Sequence, residues 1–173
     1  MKKLLFAIFI AIVLIMGYQG NLLHRAGFGI INLELANDGA MGKHILQQWH
    51  NSAYGEGTLL DIAKQNVRLD YLFIVVYVIL LMALANSLMQ LEKSVWLNNL
   101  LRFNLFLAPL TGLLDVIENL MIQHNFHHVL TAESYCNPHW VALVKFVFAG
   151  FGVLVLLWSY LKSAFTLNKV IVM

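Results

Sequence analysis

The stretch Leu113-Leu-Asp-Val-Ile-Glu-Asn119 places three polar side chains inside an apolar segment that is long enough to cross a bilayer. Ionisable groups at that depth are costly, so they are usually paired and often functional. Helical spacings of three and four put Asp115, Glu118 and Asn119 on one face, with Thr111 one turn earlier. That face must contact protein or water rather than lipid. The stretch therefore predicts a polar site within the membrane.

The composition of the chain indicates its class. Of the 173 residues 60% are hydrophobic and only 12% are charged, and the mean hydropathy is +0.73. These values lie outside the usual range of soluble domains and predict an integral membrane protein. Lysine and arginine are scattered and the net charge is +2, so no nucleic-acid partner is expected. The single cysteine, Cys136, excludes an internal disulfide and a cysteine-only zinc site.

Four apolar segments are predicted to cross the membrane. The expected fold class is all-α, a bundle of four transmembrane helices that forms a single membrane domain over residues 1–173. The spans are placed at about 4–23, 70–90, 104–122 and 140–161. The first span follows Lys2 and Lys3 and has no Ala-x-Ala cleavage site, which favours an uncleaved anchor over a cleaved export signal.

Residues 24–69 are predicted to form a helical cap between the first and second spans. Asp38 is expected to cap a helix whose apolar side carries Met41, Ile45, Leu46 and Trp49. Thr58 and Asp61 resemble a capping box at the start of a helix that leads into the second span. The indole of Trp49 is expected at the level of the lipid headgroups, where tryptophan is enriched.

The distribution of basic residues predicts the orientation. Short flanks on the side of the two termini carry Lys2, Lys3, Lys93, Arg102, Lys162 and Lys169. The connection 123–139 carries no lysine or arginine. Because basic residues concentrate on the cytoplasmic side, both termini are predicted to be cytoplasmic and the cap extracytoplasmic.

Antiparallel spans allow depth to be read from sequence. Counted from the outer boundary, Glu118 lies about 6 Å, Lys145 about 8 Å and Asp115 about 10 Å inside, at 1.5 Å per residue, and Asp70 begins the second span. Lys145 is predicted to pair with Asp115 or Glu118. The remaining members of the site, which supply hydrogen bonds or close its top, are Asn119, Thr111, Tyr77 and Asp70.

A histidine-rich connection follows the third span. His124 and His128 are four residues apart, the spacing of paired metal ligands on a helix, and Cys136 or His139 would complete a divalent-metal site. No His-Glu-x-x-His signature accompanies them, and histidines at an interface commonly serve as polar anchors or proton-exchanging groups. The expectation is that the protein uses no cofactor, with a metal at His124 and His128 as the alternative.

Several of these motifs resemble a group of small bacterial four-span integral membrane proteins with an intramembrane Asp-x-x-Glu-Asn motif. The motifs that carry the resemblance lie within residues 27–150 and are Glu34-Leu-Ala, Trp49, Asp70-Tyr-Leu-Phe73 with Tyr77, Leu114-Asp-Val-Ile-Glu-Asn119, and Lys145. The resemblance implies a multi-pass protein of the bacterial inner membrane. It carries no assigned activity.

Three functions follow from the predicted site. The first is a non-enzymatic or accessory protein whose outward-facing pocket binds an ion or a polar, lipid-like ligand. The second is a membrane-embedded enzyme that acts on a lipid or isoprenoid headgroup, with Glu118 or Asp115 as acid or base and a metal assisting. The third, a channel, ranks last because few polar residues continue inward. A buried salt bridge that only fixes helix register is the structural alternative. Membrane lipids are the expected partners, and a homo-oligomer or a membrane-protein partner is compatible with the sequence.

Overall fold

A computed structural model describes residues 2–129 and 135–171 of the chain. Within these ranges the backbone forms six α-helices and one two-stranded antiparallel hairpin. The elements in chain order are α1 Lys2–His24, α2 Ile30–Glu34, α3 Gly39–Asn51, β1 Ala53–Tyr54, β2 Gly57–Thr58, α4 Leu59–Leu91, α5 Val95–His127 and α6 His139–Ile171.

Four of these helices, α1, α4, α5 and α6, are long and apolar enough to cross a membrane. Each of the four predicted spans lies inside one of them. The helices α4 and α5 have 33 residues each, so each is about 50 Å long, compared with roughly 30 Å of hydrocarbon. Helix α4 begins 11 residues before the predicted boundary at residue 70, because the turn before it starts a helix that continues without a break.

The long helices pack around α4. Helix α4 contacts α1, α5 and α6, and α5 also packs along α6. Helix α1 packs chiefly on α4, so a cleft is left between α1 and α6 over the surface of α4. This arrangement is a helical bundle, as the sequence predicts.

The segment between α1 and α4 packs as a layer on one end of the bundle. Side chains from α1, α2, α3, α4 and α5 share one apolar core there. Trp49 lies at its centre, fully buried, and its Nε1 donates to the carbonyl oxygen of Phe28 at 2.9 Å. The indole of Trp49 therefore finds its hydrogen-bond acceptor inside the protein. Its level relative to the lipid headgroups stays a prediction.

Local capping in this layer follows the sequence. The carboxylate of Asp38 accepts a hydrogen bond from the Met41 amide at 2.7 Å and caps α3. The carboxylate of Asp61 accepts from both the amide and the hydroxyl of Thr58 at 3.0 Å, which starts α4. Both predicted caps are confirmed. Met41 itself is exposed, whereas Ile45 and the rest of the predicted apolar side are buried.

Two close helix contacts set the spacing of the bundle. A Cβ atom at Gly112 of α5 would lie 2.7 Å from Val78 and 3.3 Å from Ile74, both on α4. Gly152 of α6 faces Asn104 of α5, whose Nδ2 donates to the Gly152 carbonyl oxygen at 3.0 Å. Gly152 therefore allows α5 and α6 to approach each other closely. At Gly150 a Cβ atom would have no neighbour within 4 Å among the described residues.

Candidate functional site

Three carboxyl groups from two elements surround the ammonium of Lys145. Its Nζ lies 2.6 Å from Glu118 Oε2, 3.0 Å from Asp115 Oδ1 and 3.6 Å from Glu34 Oε2. The side chains are largely buried, with 9% of Lys145, 10% of Asp115 and 1% of Glu118 exposed. These four residues are called the Lys145 cluster below. Lysine was predicted to pair with one acid of α5, and it contacts both.

The helices bring the cluster together for a simple geometric reason. Asp115 and Glu118 are one turn apart on the buried face of α5, and Lys145 lies about two turns into α6. The last turns of α5 and the first turns of α6 lie at the same end of the bundle because the two helices are antiparallel neighbours. Because Asp115, Glu118 and Lys145 lie at similar depths on neighbouring helices, their side chains come into contact.

Neighbouring polar groups hold the carboxylates in place. The Tyr77 hydroxyl donates to Asp115 Oδ2 at 3.1 Å, and Asn119 Nδ2 donates to Asp70 Oδ2 at 2.6 Å. Thr111 lies nearby, but its hydroxyl donates to the Leu107 carbonyl oxygen of its own helix at 2.9 Å. The structure thus brings all seven predicted pocket residues into one region, with Thr111 as the member whose hydroxyl is turned to the backbone.

Glu34 was not among the predicted site residues, although Glu34-Leu-Ala was one of the motifs behind the resemblance. It reaches Lys145 because the chain after α2 is tied to the start of α6. His139 Nδ1 donates to the Leu35 carbonyl oxygen at 3.1 Å, and Asn137 Nδ2 donates to the Asn37 carbonyl oxygen at 3.3 Å. No periodicity in the sequence indicates these contacts between segments about 100 residues apart.

A cavity of about 410 Å³ lies in the cleft between α1 and α6. Its polar end is lined by Glu34, Asp70, Tyr77, Thr111, Asp115 and Lys145. The rest of the wall is apolar and is supplied by α1, α2, α4 and α6. Glu118 and Asn119 lie behind this lining, where they hold Lys145 and Asp70. A concave apolar site with a few convergent polar groups is the usual form of a small-molecule pocket.

Aromatic rings connect the wall of α1 to the polar end. The rings of Phe9 and Phe73 are stacked at 5.4 Å, and Phe73 lies 5.2 Å from Tyr77. Phe146 stands on the opposite side, with the Lys145 ammonium 4.6 Å from its ring centre. Such contacts are common between aromatic faces and ammonium groups. The cavity therefore combines carboxylates with ring faces.

The predicted metal ligands lie apart from the cluster. The rings of His124 and His128 are 4.5 Å apart, and His124 is roughly 9 Å along α5 from Glu118. In the described part of the chain no group of three or more His, Cys, Asp or Glu side chains has a metal-binding arrangement. His139, a predicted third ligand, uses its Nδ1 on the Leu35 carbonyl oxygen. Glu133 of the same connection lies outside the described residues.

The Glu34 carboxyl is the member of the cluster that belongs to the cap. Burial raises the pKa of Glu34 above its ordinary value of 4.5, and the nearby Asp115 carboxylate adds to this, whereas Lys145 opposes it. Burial of Glu34 therefore favours its protonated form beside Lys145.

This raised pKa predicts a pH dependence of stability. Above about pH 4.5 the folded state keeps a proton that the unfolded chain has lost, so stability falls as the pH rises through the raised pKa of Glu34. Glu34→Gln removes that contribution. The fall in melting temperature between about pH 5 and about pH 8 should be smaller in the variant, as measured in a neutral detergent. Glu56→Gln, at an exposed turn, is the control that should leave the fall unchanged. Identical pH profiles for Glu34→Gln and wild type would contradict the prediction.

No family model, curated protein or solved structure matches the chain. The resemblance of its motifs to small four-span bacterial membrane proteins therefore stays a prediction. Its function is inferred from the geometry of the Lys145 cluster and the cleft alone.

Proposed function

We propose that this chain is a multi-pass protein of the bacterial inner membrane that binds an ion or a polar, lipid-like ligand in the cleft between α1 and α6. Both termini lie in the cytoplasm, and the cleft has its polar end towards the outer surface. The role is binding, as a non-enzymatic or accessory protein. Membrane lipids are its expected partners.

Charge and hydropathy support the placement in the membrane. Four helices have the length and composition of spans. Basic residues of the short flanks lie at the end of the bundle away from the cap, and the 123–139 connection at the cap end has none. By the positive-inside rule the cap then faces away from the cytoplasm.

The single observation that carries the proposal is the cavity itself. Its volume of about 410 Å³ falls within the range of small-molecule sites, and it joins a long apolar wall to a charged end. A salt bridge that only fixed helix register would need no such space beside it. Three lining residues, Ile31, Phe146 and Val153, are exposed and mark the mouth of the cavity, at the side of the bundle.

Binding is favoured over catalysis by the positions of the acids. Glu118, an acid or base in the enzymatic alternative, stands behind the lining and is fully buried. Asp115 lines the cavity, but it is held by both Tyr77 and Lys145. A general base needs a free approach to the proton that it removes.

A cavity-filling substitution tests the proposal. Ala149 lines the apolar wall, so Ala149→Trp fills the cleft without removing a charged group. Val147→Trp, on the same helix with 67% of Val147 exposed, is the matched control. Native mass spectrometry of protein released from lipid nanodiscs should detect a bound amphiphile on wild type and Val147→Trp and lose it on Ala149→Trp. Equal occupancy of all three proteins would refute binding in the cleft.

A further inference from the structure

We infer that the ligand of the cleft is a single-chain amphiphile with a protonated amine as its head. This inference rests on the proposed function and names the chemical class of its ligand. It follows from how the donors and acceptors at the polar end of the cavity are used.

Lys145 is already surrounded by acids. Three carboxyl groups lie 2.6, 3.0 and 3.6 Å from its ammonium nitrogen, and the Asp115 carboxylate accepts a hydrogen bond from it. Its remaining near contact is the ring of Phe146. A phosphate or carboxylate head would have to displace one of the three carboxylates and would meet the others as like charges.

Acidic groups outnumber cations at the polar end of the cavity. The three acids of the Lys145 cluster and Asp70 face one ammonium, and Asp70 and Asp115 both line the cavity. Glu118 lies behind the lining, so Asp70 and Asp115 are the acids of α4 and α5 that a ligand in the cavity can reach. Buried carboxylates are costly unless they are paired, hydrogen-bonded or protonated. A cationic head in the cavity would stabilise the ionised form of Asp70.

Aromatic rings form part of the cavity lining. Phe9, Phe73, Tyr77 and Phe146 all line the cavity. Ring faces attract ammonium groups and do not attract anions. Carboxylates and rings therefore select for the same sign of charge, and the two observations are independent of each other.

The apolar part of the cavity extends along α6. From Lys145 to Val153 the lining follows α6 for about 12 Å, and Leu80 and Leu81 of α4 face it. A cavity of about 410 Å³ is near the lower end of the range for ligand sites. It fits one hydrocarbon chain, with the head towards Glu34 and the tail towards the middle of the bundle.

A matched series of ligands tests the inference. Dodecylamine, dodecanol and dodecanoate share one tail and differ only in the head. They are added at neutral pH, where an alkylamine is protonated, to the full-length protein in maltoside micelles, and dissociation constants are obtained from the shift in melting temperature. The amine is expected to bind at least about tenfold more tightly than the alcohol, as a charge-assisted hydrogen bond provides. The carboxylate should bind more weakly than either.

Two variants separate the possible results. Ala149→Trp should abolish the shift for all three compounds. Asp70→Asn keeps the shape of the side chain and an acceptor for Asn119 but removes a charge. It should therefore weaken binding of the amine and leave binding of the alcohol unchanged. Unchanged binding of the alcohol also shows that the variant is folded. Equal binding of all three heads, lost in Ala149→Trp, would overturn the inference and leave the proposed function standing. Preference for dodecanoate would overturn the inference as well. No shift with any compound would count against both.

Discussion

Lys145→Met is expected to lower the free energy of unfolding by about 3–5 kcal/mol, the cost of breaking a buried ion pair by removing one partner. The loss follows because Lys145 is the ammonium that Asp115, Glu118 and Glu34 share. Without it three carboxyls stand together in a site that is nearly closed to water. The measurement is unfolding in mixed micelles with increasing dodecyl sulfate, followed by helix content.

Two controls make this prediction specific. Lys64→Met removes an ammonium that is 3.4 Å from Asp61 in a pair with 36% and 51% of the two side chains exposed, so a loss of only about 0–1 kcal/mol is expected. The exchange of Asp115→Lys with Lys145→Asp should recover part of the stability that either single change loses. Equal losses at Lys145 and Lys64, or no recovery in the exchange, would show that the pairing contributes little.

Gly112→Val is expected to destabilise the protein by about 1–3 kcal/mol through overpacking at the contact between α4 and α5. A Cβ at this position would lie 2.7 Å from the Cγ2 of Val78 and 3.3 Å from the Cγ2 of Ile74. Both neighbours are β-branched and stiff, so the helices must separate rather than the side chains turn away. The measurement is the same unfolding titration.

Gly150→Val is the matched control for that change. It introduces the same side chain into a helix at a position with nothing within 4 Å, so it isolates the contribution of packing from that of helix propensity. Equal stability of the two variants would mean that the close approach of α4 and α5 is not needed.

The helices and much of the Lys145 cluster could be predicted from the sequence because both depend on local patterns. Apolar runs of sufficient length predict spans, and antiparallel order places Asp115, Glu118 and Lys145 at one depth. Side-chain orientation then follows from the helical repeat, since lipid is a poor solvent for charge. The caps at Asp38 and Thr58 likewise depend on residues only three positions apart.

Features that depend on distant contacts could not be predicted. Glu34 reaches the cluster through the packing of α2 against the start of α6, and Trp49 is buried because Phe28 offers its carbonyl oxygen. No regular spacing in the sequence indicates either of these contacts. The contact of Lys145 with both acids could not be predicted either, because the depth of a residue along its helix does not give the rotation of α6 about its axis.

The mouth between α1 and α6 lies at the side of the bundle. Under the proposed function, a ligand that enters there would come from the bilayer, where each additional methylene of its tail favours partitioning from water by about 0.8 kcal/mol. Its concentration near the site would then be far higher than in the surrounding buffer. The apparent affinity, calculated from the total ligand concentration, should therefore weaken as the lipid-to-protein ratio rises, because the same ligand is diluted into more bilayer.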